Sequence, residues 1–142
     1  MKGLFDLDKK FASVKIDNCF ISEITLAELK FGVENSKAPA KNQKALDNFL
    51  SGIQILPIFE AIDTYAIEKA RLRRTGKTVD DFDLLIGSTS VAFDLTLVTN
   101  NTKHFEHIKN IKLENWTILI KNSLLIMLFI SICLSKIWNY LK

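Results

Sequence analysis

Short apolar runs alternate with helix-patterned segments along most of this chain, and few folds accommodate that alternation. Cys19-Phe20-Ile21-Ser22, Ile53-Gln54-Ile55-Leu56-Pro57 and Thr96-Leu97-Val98-Thr99 are too short for helices and read as buried strands. Pro57 stops the second, because proline has no N–H for a sheet ladder. Lys112-Leu113-Glu114-Asn115-Trp116 reads as a last strand. Between these runs the spacing is helical. A helix is expected from about Ile24 to Glu34; its apolar positions Ile24, Leu26, Ala27, Leu29, Phe31 and Val33 wrap so widely that it should be largely buried. After a polar, proline-containing break at Asn35 to Pro39, Asn42 to Leu50 resumes helical spacing. Asp63 is the expected N-cap of a helix that runs to Thr75 and stops at Gly76. Asp80 or Asp81 opens the next helix, which reaches about Phe93. His104 to His107 reads as a single helical turn, and Leu7 to Val14 as the end of a short helix. This pattern predicts an α/β fold, a parallel sheet flanked by helices. Sites in such sheets gather at the carboxyl ends of the strands, where Ser22-Glu23 and Thr99-Asn100-Asn101 stand.

The chain has 142 residues, enough for one domain with its own core, and a net charge of +3. That charge permits contact with nucleic acid or an acidic partner without requiring either. Cys19 and Cys133 lie far apart without metal-type spacing, so free thiols in a reducing cytosol are expected. Met1 to Asp8 is too polar for a secretory signal.

Two of the helices carry acids near the start of otherwise apolar segments. One is Ile21-Ser22-Glu23-Ile24-Thr25-Leu26-Ala27-Glu28-Leu29-Lys30-Phe31-Gly32, the other Val79-Asp80-Asp81-Phe82-Asp83-Leu84-Leu85-Ile86-Gly87. If these helices meet, Glu28 and Asp83 face one another across a cleft. Clustered carboxylates repel and usually persist where a cation neutralises them. Hard oxygen donors suit magnesium or manganese.

Together with Leu97-Val98-Thr99-Asn100-Asn101-Thr102, Phe105 and Glu114-Asn115-Trp116, these segments resemble a PIN domain of the VapC type, the toxin nuclease of bacterial toxin–antitoxin pairs. The resemblance runs from about Leu7 to Trp116. It implies a magnesium- or manganese-dependent endoribonuclease with an RNA substrate and a cognate antitoxin, acting in the cytoplasm. Its relatives tend to dimerise, which leaves a homodimer open. By residue, the resemblance gives Glu28 and Asp83 as metal ligands and catalytic acids. Asn101 (Asn100 with a one-residue shift) stands where the family often has an aspartate; an amide there can orient a water but adds no charge.

This chain departs from the family at both ends. The family opens with an apolar central strand ending in Asp-Thr-Asn, whose aspartate is a principal ligand. Here no such segment precedes the first helix, and Asp6 and Asp8 are poor substitutes. A PIN-like domain over residues 1–116 is therefore expected to be N-terminally truncated, incomplete at its first strand, with two exposed strand edges. Weak metal affinity and little or no cutting follow, since magnesium held by so few charges keeps most of its waters. Residues 117–142 form an apolar tail without a family counterpart. It is expected to be helical, either packing over the exposed seam or attaching the chain to a membrane, although the run between Lys121 and Lys136 is short for a span. A translation product without selected structure is a further reading. A tail segment filling the vacant central slot is set below these.

Each site residue also has a plainer reading. Glu28 lies at capping-box spacing from Thr25, and Asp83, Asp80 and Asp81 suit a helix start. Glu23 reads as a solvated acid. Lys69, Arg71, Arg73, Arg74 and Lys77 form either a solvated helix face or an RNA-backbone contact. His104 and His107 read as surface residues, Asn100 and Asn101 as a turn. A non-catalytic remnant that binds an antitoxin, or a small tail-anchored membrane protein, are the competing functions.

Overall fold

The computed structural model describes residues 16–115 and a strand at 127–129. The expected helix end at Leu7 to Val14, Asp6, Asp8, Cys133 and most of the tail lie outside the described residues. Five parallel strands form one sheet: β1 (Cys19–Ser22), β2 (Gln54–Leu56), β3 (Thr96–Val98), β4 (Lys112–Glu114) and β5 (Met127–Phe129). Their spatial order is β2-β1-β5-β3-β4. The helices are α1 (Glu23–Glu34), α2 (Pro39–Leu50), α3 (Ile62–Arg74), α4 (Asp81–Ala92) and the single turn α5 (Thr102–Phe105).

Strand alternation divides the core in two. Cys19 and Ile21 of β1 and Val98 of β3 pack with Leu29 and Val33 of α1 and Leu46 of α2. Phe20 and Leu97, which point the opposite way, join Leu72 of α3, Leu84 and Ile86 of α4, Phe105 and Ile108. Being covered on both faces explains why β1 and β3 read as continuous apolar runs rather than alternating ones.

Local chemistry sets the element ends. Ser22 caps α1, its Oγ accepting the Thr25 N–H at 3.0 Å. Pro39 sits in the first turn of α2, where its missing N–H costs nothing. At the end of α3, Gly76 takes φ +68° while Lys77 N–H donates to Leu72 O at 3.0 Å, the left-handed closure expected of a terminal glycine. Asp80 caps α4 through the Phe82 N–H at 2.9 Å. Asp63 does not cap α3; the capping position is Ala61, after a 3-10 turn at Phe59–Ala61, and Asp63 lies within the first helical turn. The broad burial expected of α1 is also corrected. Its inward stripe is Thr25, Leu29 and Val33, while Phe31 is 69% exposed. The sheet, α2 and α4 cover only part of its circumference, so α1 buries a stripe, whatever the apolar content of its outer face.

The centre of the sheet differs most from expectation. The seam between β1 and β3, expected to be open, is occupied by β5 from the tail. Met127 lies in register with Cys19 on one side and Thr96 on the other, and Leu128 with Phe20 and Leu97. The tail expected to be helical thus contributes a strand at these three residues.

Candidate active site at the carboxyl edge of the sheet

At its carboxyl edge, β1 runs directly into α1, and β3 into the loop that starts α5. Glu28 stands in the second turn of α1, which packs against α4. The capping pair of α1 is Ser22 with Thr25, whose hydroxyls also meet at 3.0 Å. Because the helix starts at Glu23, Thr25 is its third residue, and Glu28 lies too far along to complete a capping box.

Glu28 is half-buried. Its carboxyl pKa is raised, first by burial and then by the negative charges of Asp83 and Asp80. The acids of the two helices therefore share one field, as expected if the helices met. Asp83, the third residue of α4, accepts a hydrogen bond at Oδ2 from His104 Nδ1 at 2.9 Å. His104 is exposed, as expected of a surface residue. Its link to Asp83 depends on the tight turn that places α5 beside the start of α4, which sequence spacing alone does not show.

Asn101 occupies the N-cap position of α5, without a side-chain cap bond; its backbone N–H donates to the buried Thr99 Oγ1 at 3.0 Å. Asn100 and Asn101 thus lie on the same sheet edge as Ser22, in a turn anchored by Thr99. The remaining acids are engaged elsewhere. Asp80 caps α4. Asp81 is held by Lys69 Nζ at 2.6 Å and by the Tyr65 hydroxyl at 3.1 Å, and the hydrogen bond from Lys69 is the main cause of its lowered pKa. Glu23, expected to be simply solvated, accepts the Ile58 N–H at 2.9 Å and ties α1 to the chain after β2.

The basic run divides in the same way. Arg71 is committed to the buried Glu68, with Nη2 donating to its Oε2 at 2.7 Å and to the His107 carbonyl at 2.6 Å. Lys69 pairs with Asp81. Arg73 and Arg74 are exposed, and Lys77 lies 3.3 Å from His107 Nδ1.

Among the described residues, no three His, Cys, Asp or Glu side chains form a group that could hold a metal ion. The edge does offer Glu28 and Asp83, with further negative charge at Asp80. The pKa of Glu28 is raised by burial first and by the neighbouring charges of Asp83 and Asp80 second, and a cation would offset the second contribution. This donor set fits a hydrated magnesium or manganese ion that keeps most of its waters.

Residues 5–111 match the PIN domain family. This chain belongs to that family. Among its relatives, Ribonuclease VapC2 of Rickettsia felis is 44% identical over 97 residues, covering 68% of this chain and 72% of its own. A tRNA(fMet)-specific endonuclease VapC of Shigella flexneri is 36% identical over 98 residues, covering 68% and 74%. Among solved structures, DNA-bound VapBC from Salmonella typhimurium superposes with TM-score 0.71 at 33% identity, covering 78% of this PIN chain and 84% of that one. VapBC2 of Rickettsia felis, bound to a DNA fragment from its promoter, gives 0.63 at 43% identity, covering 67% and 72%. The parallel α/β fold read from the strand–helix alternation, PIN-like by the resemblance, is that of these structures.

Proposed function

We propose that this PIN chain is a VapC-type toxin of the cytoplasm, an endoribonuclease whose divalent-metal site is held by Glu28 and Asp83 and is weakened by its short ligand set. The observation that carries this reading is the packing of α1 against α4, which brings Glu28 near the Asp80–Asp83 turn at the carboxyl edge of a parallel sheet. When bound there, a magnesium or manganese ion supplies Lewis acidity and charge neutralisation at a phosphodiester. Glu28 and Asp83 hold it, and His104 fixes the rotamer of Asp83. Asn101 orients water at the neighbouring strand end without adding charge.

The relatives named above include a tRNA(fMet)-specific endonuclease, and the VapBC complexes pair a toxin with an antitoxin. An RNA substrate and an antitoxin partner are accordingly proposed for this chain. No helix among the described residues is long and apolar enough to cross a membrane.

The test is cleavage of tRNA(fMet) by the full chain with manganese or magnesium, beside Asp83→Ala and the Shigella flexneri relative. Expected is cutting at least about 100-fold slower than the relative, the order of loss when one charge-stabilising group is missing from a site, and none in Asp83→Ala. Cutting that survives Asp83→Ala would remove Asp83 from the site, and a rate equal to the relative's would refute the weakened ligand set.

A further inference from the structure

Without β5 the sheet has no continuity. Among the described residues, β1 pairs only with β2 and β5, and β3 only with β4 and β5. Removing the middle strand would leave two separate strand pairs, each with one freshly bared edge. The residues along those edges belong to the deepest part of the molecule. Ile21 and Leu97 have no exposure, and Cys19 is 1% exposed. Backbone groups at such positions are costly to leave without partners. Whatever occupies the slot must be a parallel strand, and it must be apolar on both faces, because cores lie above and below it.

The tail satisfies both conditions. Leu124-Leu125-Ile126-Met127-Leu128-Phe129-Ile130 contains no polar side chain. Such a run suits a strand buried on both faces, and it is shorter than a membrane span requires. The register places Leu128 between Phe20 and Leu97. The connection is unlike the others, because this strand comes last in sequence and lies first in importance for sheet continuity.

We propose that the slot between β1 and β3 is a strand-acceptor site, which this chain fills with its own segment Met127–Phe129 and in which a second copy of that segment can replace it. β5 is then a removable part of the core, supplied by the end of the chain. The tail's apolar character follows from this task, without a membrane. One consequence concerns the neighbouring edge. No Asp or Glu follows Glu114 in the sequence, so the tail that completes the sheet brings no acidic side chain with it.

The test is amide hydrogen exchange of the full chain, resolved to peptides covering β1 and β3, beside Leu128→Pro and Leu128→Val. Proline cannot serve in a central strand, whereas valine can. Slow exchange is expected in the wild type and in Leu128→Val, and at least about 100-fold faster exchange at both strands in Leu128→Pro. Equal protection in Leu128→Pro would show that the tail does not hold the slot. Gel filtration then separates the sources of the strand: a protected monomer supports donation within one chain, and a dimer that Leu128→Pro dissolves would overturn it. Because Leu128→Pro could leave the chain unfolded, a second measurement uses the wild type. A labelled peptide of residues 124–131 with added flanking lysines should bind saturably, and its Leu128→Pro version should not. Absence of binding by either peptide would refute exchange.

Discussion

At the scale of single residues, the electrostatics of Glu28 give the most direct test of the metal proposal. Its pKa is raised in the fold, so the folded state favours the protonated form. For an acid shifted upward, stability falls as pH rises from the ordinary carboxylate range through the folded pKa, and the penalty persists at neutral pH. A bound cation removes that penalty. In a chelator at pH 7, Glu28→Gln should therefore melt about 1–3 °C above the wild type, and it should lack the stabilisation by manganese that the metal proposal predicts for the wild type. A lower melting temperature in chelator would mean that Glu28 is held by favourable contacts and is not strained by its neighbours. Glu68 behaves in the opposite sense. Its hydrogen bond from Arg71 leads the causes that lower its pKa, so its contribution is present above the ordinary carboxylate pKa and is lost as pH falls through the depressed one. Glu68→Ala would leave Arg71 without its partner and the Lys109 N–H without its acceptor at 2.9 Å. A loss of about 2–3 kcal/mol is expected in urea unfolding at pH 7, narrowing toward acid pH; a loss independent of pH would assign the effect to packing. That the helices carrying Glu28 and Asp83 meet was expected from the sequence, because both segments carry the family pattern. The Asp83–His104 bond and the burial of Glu68 were not, since both depend on contacts between distant segments.

At the scale of elements, two helical glycines respond to opposite constraints. Gly32 in α1 has nothing within 4 Å of an added Cβ. Alanine there gains helix propensity without a clash, so Gly32→Ala should stabilise by about 0.5–1 kcal/mol. At Gly87 in α4 the same methyl collides with Ile108 Cδ1 and presses on Ile111 Cδ1 at 3.3 Å and Phe105 Cδ1 at 3.4 Å. Overpacking of this kind costs about 1–3 kcal/mol and outweighs the propensity gain. Gly87→Ala should therefore unfold at lower denaturant than the wild type, and Gly32→Ala at higher; a reversal of that order would show that the segment after α5 does not press on α4. The helices and the strands β1 to β4 were readable from periodicity and from their terminal residues, with shifts of a residue or a few at the ends. The start of α3 was misread because Asp63 looks like a cap, whereas the 3-10 turn at Phe59–Ala61 leads the chain into the helix sooner. The exposed face of α1 was misread because apolar content says how much of a helix could be buried, while its neighbours decide how much is.

At the scale of the whole molecule, the sheet joins fold and chemistry. Its strand order could not be read from local pattern, because the central strand is the last in sequence and its composition also suits a helix or an anchor. The family's opening strand, by the resemblance, places an aspartate at the sheet edge, whereas the tail that fills this slot offers no acidic side chain. A soluble apolar peptide ending in Asp-Thr-Asn would compete for the same slot and bring one carboxylate toward Glu28 and Asp83. Adding a third charged oxygen ligand should tighten manganese binding at least about tenfold, a gain of about 1.4 kcal/mol. The control peptide ends in Asn-Thr-Asn, which matches the shape and removes the charge. Titration calorimetry with each peptide separates the two contributions. Tighter metal binding with the aspartate peptide alone would assign the proposed weakness of the site to the lack of that acid. Equal metal affinity with both peptides, each shown to bind the chain, would mean that a strand in the slot restores the sheet without reaching the acids.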